Sequence, residues 1–206
     1  EMCIRDSSIT ELWNTSLDGY AMAAIEELGC SLPDVYKRLG YDKKYGYFNA
    51  GVLLINLQYW REHNLTREFL LYIAENYEKL KAHDQDVLNA LLHKKCLHVS
   101  YKWNVEEAFY HYSVMKRLKH NRELRFVLRH PTILHYTWKP KPWDLSCKHP
   151  FRINYYIYLQ RFAGSSLNFK RKLAALFDKY VFCFFLWINL KGHRSVSYTH
   201  LTLPTN

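Results

Sequence analysis

Tyr47-Phe48-Asn49-Ala50-Gly51-Val52-Leu53-Leu54-Ile55-Asn56-Leu57 is the stretch whose reading decides the fold. Within it, Val52 to Ile55 is an unbroken apolar run containing β-branched residues, bounded by Gly51 and Asn56. Such a run predicts a strand buried on both faces, of the central kind found in α/β sheets. Asn49, Ala50 and Gly51 stand at its mouth. Small residues there let a ligand or another backbone come close, and Asn49 offers an amide donor and acceptor. The same residues also suit a sheet strand led in by an ordinary loop.

Upstream, residues 29–45 are polar, with Pro33, Gly40 and the basic Asp42-Lys43-Lys44, and read as a loop into that strand. Tyr20 to Ile25 is a further strand candidate, with a short helix as the alternative. Asp18-Gly19 before it is a turn signal. Earlier still, a short helical turn would carry Leu12 and Trp13 inward. Downstream, Phe69, Ile73, Tyr77 and Leu80 share one helix face, with Thr66 as a plausible N-cap. Asp84 and Asp86 open a second helix that continues through Val87, Leu88, Leu91 and Leu92. Cys96 to Ser100 is a short strand candidate, and Val105 to Arg129 reads as a strongly basic helix. Thr132 to Tyr136 is another buried strand. Pro140 and Pro142 turn the residues after it into a rigid loop, at the kind of strand end where α/β sheets bind ligands. The class is α/β. One sheet is expected to hold both Val52–Ile55 and Ile133–Tyr136, with Asn49, Asp84, Gln85 and His135 converging on one rim.

The chain has 206 residues and is 49% hydrophobic, enough for one sizeable core, or one core and a tail. A net charge of +10 calls for an anionic partner: a nucleotide, nucleic acid or a lipid surface. No nucleic-acid-binding module is recognisable, so no nucleic-acid partner is expected. The 5 cysteines form no Cys-x-x-Cys pair and are far apart in sequence, which fits buried thiols in a reduced compartment better than disulfides or a zinc site. No apolar run approaches the roughly 20 residues needed to span a bilayer.

Both ends lack periodic pattern and resemble translated adaptor sequence, so residues 1–7 and 195–206 are expected to be non-native, bracketing an internal fragment of a longer protein. Residues 8–150 then form the main domain. Residues 151–194 form a basic amphipathic tail, rich in Tyr and Phe among Arg161, Arg171, Lys172 and Lys179, that suits an interfacial membrane segment. A helix packed on the core is the alternative for that tail.

Polar clusters sit at predicted element ends: Asn49 to Gly51, Asp84 to Asp86, and His135 with Lys141. Singly, each has a plain explanation. An Asp caps a helix, a His is held in structural hydrogen bonds, and a Lys lies in a solvated loop. Together they describe a pocket with a metal ligand, a cation for phosphate, and amides and carboxylates for sugar hydroxyls.

Taken with Asp84-Gln85-Asp86-Val87-Leu88-Asn89, Trp103-Asn104, His135-Tyr136 and Lys141-Pro142-Trp143, the opening stretch resembles glycosyltransferase family 8, in order and in spacing. The likeness covers about Ser8 to Pro150 and is nearest to bacterial lipopolysaccharide glucosyl- and galactosyltransferases. It implies a GT-A fold, here partial and lacking the N-terminal nucleotide-binding strands, followed by a basic aromatic helical tail. It implies a UDP-sugar donor, Mn²⁺ (or Mg²⁺), a saccharide or glycolipid acceptor, and transfer with retention of configuration. Carried over, Asn49, Ala50 and Gly51 line the donor sugar. Asp84 and Gln85 are the catalytic pair beside it, with Gln85 near the anomeric carbon. His135 is a metal ligand, and Lys141 holds the donor phosphates.

This chemistry is coherent, because breaking a sugar–phosphate bond builds negative charge that a metal and a lysine neutralise, while a nearby amide or carboxylate stabilises the oxocarbenium-like sugar. The chain departs from the family in two places. No Asp-x-Asp precedes Ser8, so the fragment is expected to be inactive by itself. Trp138 stands where the family usually has Gly. The expected location is cytoplasmic, peripheral on an anionic inner membrane face. The alternative function is a non-catalytic carbohydrate- or nucleotide-binding relative.

Overall fold

In the computed structural model, which describes residues 3–5, 8–28, 32–117, 121–137, 139–163 and 169–190, short strands alternate with helices. Strand β1 (Cys3–Arg5), helix α1 (Thr10–Trp13), strand β2 (Met22–Ala24), helix α2 (Leu32–Leu39) and strand β3 (Leu54–Ile55) come first. Helices α3 (Leu57–Glu62), α4 (Leu65–Asn76) and α5 (His83–Leu92) follow, then strands β4 (Cys96–His98) and β5 (Val105–Glu106). Helices α6 (Tyr112–Arg117) and α7 (Arg122–Val127) lead to strand β6 (Ile133–His135), and then come α8 (Arg152–Ala163) and α9 (Phe169–Leu190). Lys119, Trp138 and residues 195–206 lie outside the described residues. The chain divides into a unit of residues 1–141 and a unit of residues 142–206.

In the first unit one sheet has the order β3-β2-β4, with β2 antiparallel to β3 and parallel to β4. The other has the order β1-β6-β5, with β6 antiparallel to β1 and parallel to β5. The parallel pairs need crossovers, and helices supply them, which is the α/β logic the sequence predicts. β2 is the buried middle of its sheet. Met22, Phe48, Leu88 and Leu92 pack there with Trp60 and Phe69. The Trp60 indole N–H donates to the Ala21 carbonyl at 2.9 Å.

Several expectations are corrected. Val52–Ile55 is not a central strand: only Leu54–Ile55 pairs, at the sheet edge and half-buried, and β2 takes the centre. The cause is local, since Asn56 caps α3 by accepting from the Tyr59 amide at 3.0 Å and so ends the strand. Val52–Ile55 and Ile133–Tyr136 also do not share a sheet. The loop expected over residues 29–45 contains α2, whose Val35 and Leu39 are buried against Tyr47. Their i, i+4 spacing is helical, and Pro33 in the first turn costs no hydrogen bond there. Val105–Arg129 is not one helix: β5 takes its start, and Asn121 caps a separate α7 by accepting from the Leu124 amide. Asn64, not Thr66, flanks the start of α4. In α1, Leu12 is buried while Trp13 is 73% exposed, because adjacent helical positions face apart.

The second unit pairs α8 with α9 around Ile153, Tyr156 and Ala175. Arg152 and Asp178 form an ion pair at 2.9 Å. Ile157, Phe162, Phe177, Tyr180 and Phe184 remain exposed. Among the described residues, no helix is long and apolar enough to cross a membrane.

Candidate active site

The segment from Tyr47 to Ile55 runs antiparallel along β2 and arches away in its middle. Before the arch, the Glu27 amide donates to the Tyr47 carbonyl at 2.8 Å and the Asn49 amide to the Ile25 carbonyl at 3.0 Å. On the other edge, the Asn89 side chain imitates a neighbouring strand. Its Oδ1 accepts from the Phe48 amide at 2.9 Å and its Nδ2 donates to the Phe48 carbonyl at 2.8 Å. After the arch, β3 resumes pairing with β2. More residues lie in the arch than β2 offers opposite, so Ala50 to Leu53 leave the ladder as they would at a bulge.

The arch is held by side chains of sequence-distant elements. Gln85, in the first turn of α5, accepts at Oε1 from the Ala50 amide at 3.0 Å. Asn49 Oδ1 accepts from the Gly51 amide at 2.8 Å, and Asn49 Nδ2 donates to Glu27 Oε2 at 2.9 Å. Asn104 Nδ2 donates to the same Asn49 Oδ1 at 2.7 Å, and Asn104 Oδ1 meets His135 Nδ1 at 2.9 Å. Asn49, Asn104 and His135 are all buried.

This chain of contacts settles the histidine tautomer. A backbone N–H only donates and a carboxylate only accepts, so Gly51 and Glu27 orient the Asn49 amide. Asn49 then orients Asn104, which turns its carbonyl oxygen to His135. Nδ1 must therefore carry the proton, and the lone pair of a neutral ring sits on Nε2. A ring held this way is the usual arrangement of a metal-ligating histidine, with one nitrogen pinned by an outer partner. His135 thus fits as one ligand of a shared set. Among the described residues, no cluster of three or more His, Cys, Asp or Glu could hold a metal ion.

The structure brings Asn49, Ala50, Gly51, Gln85 and His135 together. Asp84 is exposed at the start of α5 and accepts from the Gln85 amide at 3.0 Å. Lys141 folds back on the end of β6, where its ammonium donates to the carbonyls of Tyr136 and Thr137. Sequence reasoning passed over Glu27, Asn89 and Asn104 as site residues. Each carries a signal: Glu27 is the second of two carboxylates that follow the apolar run Ala21–Ile25, and Asn89 and Asn104 lie within stretches already singled out.

The Asp84-Gln85-Asp86 run splits by environment. Asp86 is fully buried. Burial alone would raise its carboxyl, but the Arg38 guanidinium, the Ala82 amide, the Tyr47 hydroxyl and the Lys81 amide hold it below the ordinary carboxylate value.

Comparison with known proteins places this architecture. General stress protein A of Bacillus subtilis (strain 168) is 29% identical over 159 residues, which cover 73% of this chain and 53% of that protein. Lipopolysaccharide 1,2-glucosyltransferase of Escherichia coli (strain K12) is 27% identical over 80% of this chain and 51% of its own length. This chain thus spans about half the length of these curated relatives. Among solved structures, the galactosyltransferase LgtC in complex with donor and acceptor sugar analogs superposes with a TM-score of 0.66 at 23% identity, covering 84% of this chain and 62% of that one. An LgtC variant described as an active-site glutamine-to-glutamate mutant superposes with a TM-score of 0.62 at 22% identity, over 84% of this chain and 62% of its own. The sequence model of glycosyl transferase family 8 matches residues 3–147, more than half of the chain, so the chain belongs to glycosyl transferase family 8.

Proposed function

We propose that the protein moves a hexose from a UDP-sugar to a saccharide or lipopolysaccharide acceptor, with retention of anomeric configuration. The observation that carries this reading is the convergence of Asn49, Ala50, Gly51, Gln85 and His135 in a family 8 chain. It is supported by the names of relatives, one a lipopolysaccharide glucosyltransferase and one solved with donor and acceptor sugar analogs.

In this reading the arch from Asn49 to Gly51 presents backbone and amide groups to the donor sugar. Gln85 and Asp84 stand beside the reacting carbon, where an amide dipole and a carboxylate stabilise positive charge as the glycosidic bond to phosphate breaks. The glutamine assignment is supported by the LgtC variant, whose mutated residue is called active-site. Lys141 leaves its carbonyl partners to meet the donor phosphates. His135, with its lone pair on Nε2, would be this chain's ligand to a divalent cation. A bound Mn²⁺ or Mg²⁺ would neutralise charge on the departing diphosphate.

Turnover of UDP-hexoses by the whole protein tests this. EDTA should abolish it, and His135→Ala should weaken its metal dependence. Lys141→Ala should raise the donor KM and lower kcat, together by about ten-fold or more, the size of one charge-assisted hydrogen bond. Undiminished turnover in EDTA would refute the metal role. Donor binding without turnover of any acceptor would instead identify a non-catalytic binding relative.

The second unit fits peripheral attachment to an anionic membrane on the cytoplasmic side. Exposed Phe177, Tyr180 and Phe184 lie on α9 with Arg171, Lys172 and Lys179. Each cation near such a surface contributes about 1 kcal/mol. Phe177→Glu with Tyr180→Glu should reduce co-sedimentation with vesicles containing acidic lipid. Unchanged partitioning would end the idea.

A further inference from the structure

Asp86 accepts five hydrogen bonds and lies beyond the reach of solvent. On Oδ2 it takes the Lys81 amide at 2.7 Å, the Ala82 amide at 2.8 Å and Arg38 Nη1 at 2.6 Å. On Oδ1 it takes Arg38 Nη2 at 3.1 Å and the Tyr47 hydroxyl at 2.9 Å. Arg38, reaching from α2, also donates to the Lys79 carbonyl. One ion pair therefore gathers both sides of the bend at residues 79–82 and the side chain of Tyr47, just before the arch.

The residue after that bend is strained. His83 has φ 49°, in the left-handed region that a side chain with a Cβ disfavours. Such a conformation persists only where its surroundings over-determine it. Here the bonds from Lys81 and Ala82 to Asp86 enclose it. Asp84 and Gln85 follow directly, and Gln85 receives the Ala50 amide.

We propose that Arg38 and Asp86 are positioning residues: their ion pair holds the bend at residues 79–82, and His83 after it, and thereby aims Gln85 at the arch. Asp86 is spent on this task, with no open acceptor side toward solvent, so contact with the reacting sugar falls to Asp84 and Gln85. The part of this inference that concerns transfer rests on the function proposed above. The part that concerns geometry does not.

Amide hydrogen exchange separates the two. Removing one buried charge alone risks unfolding, whereas replacing both partners together is often tolerated. The test variant is therefore Arg38→Met with Asp86→Asn, with Arg38→Lys as a milder second. Phe48 is the internal control, because its amide bonds to Asn89 on the same helix. The expected result is a chain with native far-UV circular dichroism in which exchange at Ala50 speeds by about ten-fold while exchange at Phe48 stays near the wild-type rate. Arg38→Lys should give a smaller effect at Ala50 in the same sense. Equal acceleration at both amides, or none at Ala50, overturns the proposal, since Asp86 would then merely anchor α5 or do nothing for Gln85. In the whole protein, kcat should fall by about ten-fold with little change in donor KM, and Arg38→Lys should restore part of it. A wild-type protein without turnover would count against the sugar-transfer reading, and the exchange result would still decide the lock.

Discussion

Gly51 and His135 meet with no room for a carbon atom between them. A Cβ on Gly51 would stand 2.1 Å from His135 Cε1 and 2.6 Å from His135 Nδ1, and 2.9 Å from Asn49 Oδ1. Glycine is needed here for closeness of approach, because the arch presses its backbone against the imidazole. The requirement links the motif that carries β3 to β6, a strand of the other sheet.

Gly51→Ala must therefore push His135 or the arch aside. Overpacking of this kind costs about 1–3 kcal/mol. The variant should show a lower urea midpoint than wild type. In the whole protein it should also lose turnover more than Ala50→Gly, which adds no atom. A Gly51→Ala protein with unchanged stability would show that the ring moves freely.

Asn104→Ala removes the link between Asn49 and His135 and leaves buried polar atoms short of a partner. A buried group left unsatisfied costs about 1–3 kcal/mol. Equilibrium unfolding should register that loss. The His135 ring should also lose its fixed tautomer, which the ¹⁵N shifts of Nδ1 and Nε2 report directly. Retention of wild-type imidazole shifts would mean that something other than Asn104 holds the proton on Nδ1.

The Arg38–Asp86 pair predicts an acid dependence of stability. The Asp86 carboxyl is held below its ordinary value despite its burial, and the Arg38 guanidinium is raised by the hydrogen bond to Asp86. A carboxyl whose folded value is depressed contributes stability that is fully present above the unfolded value, near about 3.9, and lost as the pH falls through the folded value. The stability gap between wild type and Asp86→Asn should thus be constant from neutral pH down to about pH 5. It should narrow only at lower pH. Urea titrations across that range measure it, and a gap that narrows near neutral pH would contradict the assignment.

Cys96 should be inert in the folded chain. Burial pushes its thiol up to about 12, outweighing the opposite effect of the Ala24 backbone hydrogen bond. At about pH 8 almost no thiolate is present to react. Iodoacetamide should leave Cys96 unmodified until denaturant is added, as peptide mass mapping would show. Rapid native alkylation would mean that β4 opens locally.

Local pattern was enough for the elements whose signal lies within their own residues. The apolar run around Met22 to Ala24 makes β2, the acidic opening and apolar spacing of residues 84–92 make α5, and Ile133 to His135 make β6. The family motifs also named Asn49, Ala50, Gly51, Gln85 and His135, which the structure gathers in one place. Sequence alone did not determine rank within the sheet. Val52 to Ile55 reads as central because an apolar run reports burial, while centre or edge depends on which strands pair beside it. Nor did it determine that α2 would form, because the polar residues around Val35 and Leu39 mask a two-residue stripe that gains its stability from Tyr47. The site's supports were decided by tertiary structure for a related reason. Asn104 reaches Asn49 across 55 residues, Arg38 reaches Asp86 across 48, and Glu27 reaches Asn49 across 22. Hydrogen bonds between such distant positions have no period along the chain. They exist only once the strands and helices have packed, and that packing turns a row of motifs into one polar network.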